Sequence, residues 1–178
     1  MHYPQKSFKA GVLIAASAAL LLVGCATTSP GARFKEALAK DQHVDANDVV
    51  FVKIEADKGI VIEEFEKQRL ARGIQDKVDV LKMNNTNAAD PRKFELAVLV
   101  TRYDKGDAFA RAMMPGLGRI HIDGRVSMFA LPMYERVADF DIDKTFAWGG
   151  LYGAATSIED VEKGFAEGVA EAVTKVKQ

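Results

Sequence analysis

The chain has 178 residues, 48% of them hydrophobic, a formal net charge of −1 and a single cysteine. This length and apolar content suffice for one buried core, and the near-neutral balance excludes a charge-driven nucleic-acid binder. One thiol leaves no internal disulfide to staple the fold, so stability must come from packing.

Residues 1–24 open with Lys6 and Lys9, continue through an acid-free apolar run from Ala10 to Val23, and end in small residues before Cys25. That is the order of a secretory signal peptide. The run is about 14 residues, short of the roughly 20 that cross a bilayer as a helix, so cleavage is expected rather than a permanent span. Leu22-Val23-Gly24-Cys25 resembles the lipobox of bacterial lipoproteins. The resemblance implies a diacylglycerol on the Cys25 thiol, cleavage before it and acylation of the freed amine. Two or three acyl chains would hold residues 25–178 on a lipid bilayer, each buried CH₂ adding about 0.8 kcal/mol. Ala26, rather than aspartate, resembles the position that follows the cysteine in lipoproteins sorted to the outer membrane, facing the periplasm. Lys6 and Lys9 leave with the signal, so of 24 basic side chains 22 remain against 25 acidic ones.

In the mature chain, Ala26 to Asn47 reads as a tether, with Arg33 to Lys40 a short helix-former. Val49 to Glu55 is rich in β-branched and aromatic residues and predicts a strand. Leu70, Ile74, Val78 and Leu81 recur at helical spacing and predict a helix over 63–83, its early glutamates suited to the helix dipole. After a polar loop with Pro91, Phe94 to Tyr103 is nearly continuously apolar and predicts a central strand covered on both faces. Ile120 to Met128 and Ala138 to Trp148 alternate strictly, which predicts an antiparallel hairpin whose connection keeps Pro132 out of the ladder. Ile158, Val161, Phe165, Val169, Ala172 and Val176 form one stripe of a final amphipathic helix. Thr156 with Glu159 reads as its capping box, and Glu159/Lys163 and Glu171/Lys175 as supporting pairs. The expected fold is α/β (α+β): a single mixed, largely antiparallel sheet with helices mainly on one face, in the order β-α-β-β-β-α. Its domain runs over 48–178.

Three stretches are candidates for function. The connection 104–118 is long and apolar, with Phe109, Met113, Met114 and Leu117 either covering a core edge or offering a contact face. Trp148 to Gly153, with Trp148 and Tyr152, joins the last strand to the last helix and suits either a packed turn or a partner surface. The polar hairpin face carries His121, Asp123, Asp139, Asp141 and Asp143. These residue types bind divalent metals, but alternating charge on a strand is more simply its solvated side, and no metal or other cofactor is expected.

Thr101 to Gly106, then Ala110-Arg111, Gly116-Leu117-Gly118 before an alternating strand, and Gly149-Gly150 before a capped helix resemble the lipoproteins grouped as domain of unknown function 4410. The resemblance covers residues 48–178, although Leu131 to Glu135 replaces that family's turn between the last two strands. It implies an envelope lipoprotein domain with no catalytic residues. The expected function is a non-catalytic binding or scaffold module for an envelope protein, a glycan or a second copy of the chain. A periplasmic carrier of a small ligand or metal is the alternative, and an enzyme is less favoured still.

Overall fold

The computed structural model describes residues 31–175 apart from 86–89, 115 and 149. Leu22, Val23, Gly24 and Cys25 lie outside the described residues, as does Val176. The elements are β1 (Arg33–Glu36), β2 (Val49–Ala56), α1 (Glu64–Lys82), β3 (Lys93–Asp104), α2 (Ala108–Met113), β4 (Ile120–Leu131), β5 (Glu135–Phe146), α3 (Gly150–Ala155) and α4 (Ile158–Thr174). The strands form one open sheet in the order β1-β5-β4-β3-β2. Only β2 with β3 is parallel, and α1 supplies the long crossover that such a pair requires. The expected architecture is present, with β1, α2 and α3 added to it.

Alternation along the strands decides which sheet face is covered. Leu96, Val98 and Val100 of β3 pair in register with Met128, Val126 and Gly124 of β4. Val126 and Gly124 in turn stand beside Phe140 and Ile142 of β5. These apolar side chains are buried in one cluster with Leu70, Ile74 and Val78 of α1 and Val161, Phe165 and Val169 of α4. Phe165 needs Gly124 beneath it, because a Cβ there would stand 3.0 Å from the Phe165 ring tip. The opposite sheet face stays open. β3 is therefore covered on one side rather than two, with Ala97 and Leu99 half-buried on the open face, and it lies one strand in from the β2 edge. Two apolar residues on a partly exposed face suffice to make a one-sided strand read as continuous.

Residues 33–36 form a strand, not a helix. Phe34 packs its ring 5.0 Å from Phe140, and Lys35 pairs with Asp141 at 2.8 Å while Arg33 pairs with Asp143. Helix propensity is a weak prior that such contacts override. Residues 41–48 are also part of the domain. Arg92 donates to both Asp48 carboxylate oxygens, at 3.2 and 2.6 Å, and to the His43 carbonyl at 2.7 Å. Burial opposes ionisation of Asp48, but Arg92 and the backbone amides of Asp45 and Arg92 outweigh it and hold its carboxyl below the usual range. The folded unit thus begins earlier than residue 48.

The start of α4 also differs in detail. Its cap is Ser157, whose backbone N–H reaches Asp160 at 3.1 Å, while the Thr156 hydroxyl donates to the Tyr152 carbonyl within α3. Lys163 accordingly pairs with Asp160, and Glu159 with Arg69 at 3.3 Å. Arg69 of α1 also forks onto buried Glu162 of α4, at 2.6 and 3.0 Å, and Tyr103 donates to the same carboxylate at 2.6 Å. This network ties both helices to the end of β3. Breaking one side of a buried ion pair typically costs about 3–5 kcal/mol.

Two outcomes follow for stability. Phe165→Ala should lower it by about 3–5 kcal/mol, whereas Lys163→Ala, in an exposed pair, should change it by less than about 0.5 kcal/mol; equal thermal melts would contradict the packing described. His43 is buried with Nδ1 unpartnered, and burial pulls its pKa below 6.5 against the opposing effects of the Val173 carbonyl and Asp45. The unfolded chain therefore takes up the proton first, and stability is lost as pH falls below 6.5. The melting temperature of the wild type should drop more between pH 7 and pH 5 than that of His43→Phe; parallel curves would contradict this.

Candidate functional site

One end of the sheet carries the two short helices that the sequence leaves within connections. α2 stands between the end of β3 and the start of β4, and α3 follows the end of β5. Register places those strand ends together, with Asp104 opposite His121 and Ile120 opposite Phe146. α2 and α3 pack against each other there.

Arg111 of α2 joins them. Its side chain is buried, and its guanidinium donates to the carbonyls of Gly153 at 2.8 Å, Gly118 at 2.7 Å and Thr156 at 3.0 Å. An arginine fork suits this task because its donors are planar and fixed. Glycines permit the close approach. A Cβ on Gly153 would stand 2.2 Å from the Trp148 carbonyl, and one on Gly118, where φ is +62°, 2.2 Å from the Asp107 carbonyl. The Asp107 side chain caps α2 by accepting from the Ala110 N–H at 2.7 Å.

The outward side of this platform is apolar. Phe109, Met113, Met114, Leu117, Trp148 and Tyr152 are all at least half exposed, Phe109 at 76%, and Leu151 is 92% exposed. These side chains of 104–118 are therefore exposed rather than covering an edge of the core. Trp148 lies beyond β5 rather than on it, edge-on to Tyr152 at 6.3 Å, and Tyr152 also lies 5.9 Å from Phe146. Arg111 and Leu151 were not among the sequence candidates. A lone arginine inside Ala108 to Met114 was the one available signal for the former.

The hairpin's polar face is arranged differently. Asp141 pairs with Lys35 and Arg125, Asp143 with Arg33, and the Asp139 carboxylate approaches Arg136 at 3.8 Å. His121 Nδ1 shares a 2.8 Å hydrogen bond with Thr145. Burial and the Arg102 charge lower the His121 pKa, and burial raises that of Asp123, which faces Asp143 across the ladder. Basic side chains of β1, β4 and β5 thus serve Asp139, Asp141 and Asp143, and among the described residues no group of three or more metal-ligating side chains converges. Separately, an apolar groove of about 430 Å³ runs between the N-terminal segment and α4, lined by Ala32, Phe34, Leu38, His43 and Ala172. It is the place that the carrier alternative would use.

The fold and platform define a class: a one-sided mixed α/β sheet with a preformed apolar face at one end. No family model matches the chain, so the resemblance to domain of unknown function 4410 gains no support there, and no curated protein matches it either. Among solved structures, a variant PelC dodecamer from Paraburkholderia phytofirmans is similar to this chain at TM-score 0.54 and 9% identity, over 83% of this chain and 99% of that one. A second PelC dodecamer from the same organism is similar at TM-score 0.52 and 8% identity, over 81% and 98%. A Caulobacter crescentus protein that bears a lipoprotein name reaches TM-score 0.35 at 13% identity, over 67% and 82%, too low to carry an argument. The PelC likeness shows a shared fold.

Arg111→Leu should leave three carbonyls without their donor and cost about 3 kcal/mol, since an unsatisfied buried polar group costs about 1–3 kcal/mol. Arg111→Lys should recover only part of this, because one ammonium lacks the fork geometry. Urea denaturation measures both; a leucine variant within about 0.5 kcal/mol of wild type would contradict the role assigned to the guanidinium.

Proposed function

We propose that this protein is a non-catalytic envelope lipoprotein, anchored to a bilayer through acylated Cys25, that works by binding another envelope component with the α2–α3 platform. The observation that carries the reading is the platform itself: a set of exposed apolar side chains on a backbone cross-linked by a buried arginine. A flexible loop would lose conformational entropy on binding, whereas a preformed face loses little. Methionines supply adaptable contacts, and Trp148 and Tyr152 supply rigid anchors. Among the described residues no helix is long and apolar enough to cross a membrane, which fits a lipid as the anchor. Ala26 favours the outer membrane as the destination. A second copy of the chain is one component that the face would accept, as PelC, which shares the fold, is solved as a dodecamer.

Photo-crosslinking amino acids at positions 109, 114 and 152 should capture an envelope component in intact cells, and alanine at the same positions should leave the melting temperature nearly unchanged. Cys25→Ser should leave the membrane fraction. The reading fails if no adduct forms at any position while each alanine lowers the melting temperature by several degrees, the behaviour of core residues.

A further inference from the structure

The direction of β1 relates the platform to the anchor. β1 is antiparallel to β5, with Arg33 opposite Asp141 and Glu36 opposite Asp139, so the N-terminal end of β1 points toward the Phe146 end of the sheet. That is the end at which α2, α3 and Trp148 lie. From Asp141 to Phe146 is five residues, about 17 Å along a strand at roughly 3.3 Å each. Cys25 precedes Arg33 by eight residues, a chain that reaches about 26–29 Å when extended. The chain before β1 is therefore long enough for the acylated cysteine to stand at the platform end, and the N-terminal end of β1 points there.

From this we infer that the component bound by the platform is the bilayer interface itself: Trp148, Leu151 and Tyr152 of one turn, with Phe109 and Met113 of the other, settle among the lipid headgroups and upper acyl chains beside the Cys25 anchor. The inference rests on the proposed reading of Cys25 as lipid anchor and of the α2–α3 face as contact surface. The chemistry suits that depth. Tryptophan and tyrosine carry a polar atom on an apolar ring and concentrate at membrane interfaces, and Leu151, which is almost wholly exposed, has little protein contact to lose by entering lipid. Arg119 beside the platform is exposed and donates from Nε to the Gly116 carbonyl, and a guanidinium there has the charge to attract lipid phosphate. Acyl chains and platform together would fix the orientation of the domain, with the Pro132 hairpin at the end away from the anchor and the open sheet face side-on to the bilayer. Lipid anchoring is secured by two signals acting together more than by one, and a rigid apolar face next to the acylated residue is such a second signal.

Trp148 is the sole tryptophan in the chain, which makes the test direct. The full acylated protein is reconstituted in vesicles of phosphatidylethanolamine and phosphatidylglycerol, with and without bromine on the upper acyl chain, and Trp148 emission is recorded against that of Cys25→Ser in buffer. Emission should shift to the blue in the vesicles and lose most of its intensity with the brominated lipid, and Leu151→Glu, at a fully exposed site that leaves the fold intact, should restore much of it. Photo-adducts at positions 109 and 152 should carry lipid. Unshifted, unquenched emission from a protein whose mass shows the acylated cysteine overturns the bilayer assignment and leaves the anchored binding module standing, as do adducts at those positions with protein or glycan alone. A mature chain whose mass shows an unmodified Cys25 removes the anchor, and with it both readings.

Discussion

A single buried guanidinium sets the form of the α2–α3 end of this protein. Arg111 donates to carbonyls from two connections that are far apart in sequence, Gly118 on one side and Gly153 and Thr156 on the other. Without those donors the carbonyls would be buried unsatisfied or would turn to water, and the short helices α2 and α3 would lose their common frame. Helices of six residues have no independent stability. Their geometry is thus a consequence of tertiary contacts, and so is the outward display of Phe109, Met113 and Tyr152.

The rest of the domain provides a rigid base for that end. A sheet covered on one face by α1 and α4 buries a continuous core, and the notch at Gly124 lets Phe165 seat deeply against β4. The polar ties lie at the margins. Arg69, Glu162 and Tyr103 close the side next to the platform, and Arg92 with Asp48 closes the opposite end, where the N-terminal segment meets β3. The N-terminal segment is thereby fastened before the first long strand begins. β1 joins that segment to the sheet, and its ion pairs occupy the carboxylates of Asp141 and Asp143.

The parts legible in sequence were those governed by local periodicity. The stripe Leu70, Ile74 and Val78 and the alternation of Ile122, Val126 and Met128 each specify an element and the side it buries. The parts that were not legible depend on contacts between distant residues. Arg33 to Glu36 has weak helix-forming composition, and only Phe140 and two aspartates of β5 convert it to a strand. Ser157 and Thr156 both suit a cap, and the choice falls to Ser157 because the Thr156 hydroxyl is engaged by the Tyr152 carbonyl. The platform residues were identified as a group, but their exposure was not decided, since an apolar loop reads the same whether it folds inward or outward. The deciding residue, Arg111, looked like one more charge in a connection.

Whether the apolar face exists before any partner arrives is read from native-state hydrogen exchange. The amides of Asp107, Arg111, Met114 and Leu117 donate to the carbonyls of Gly118, Asp107, Ala110 and Met114, and if the arginine fork fixes the frame they should exchange far more slowly than unstructured peptide, approaching the protection of the strands on either side. Exchange of those four amides at the rate of an open loop, while β3 and β4 remain protected, would mean that the face forms only on binding and would contradict the account.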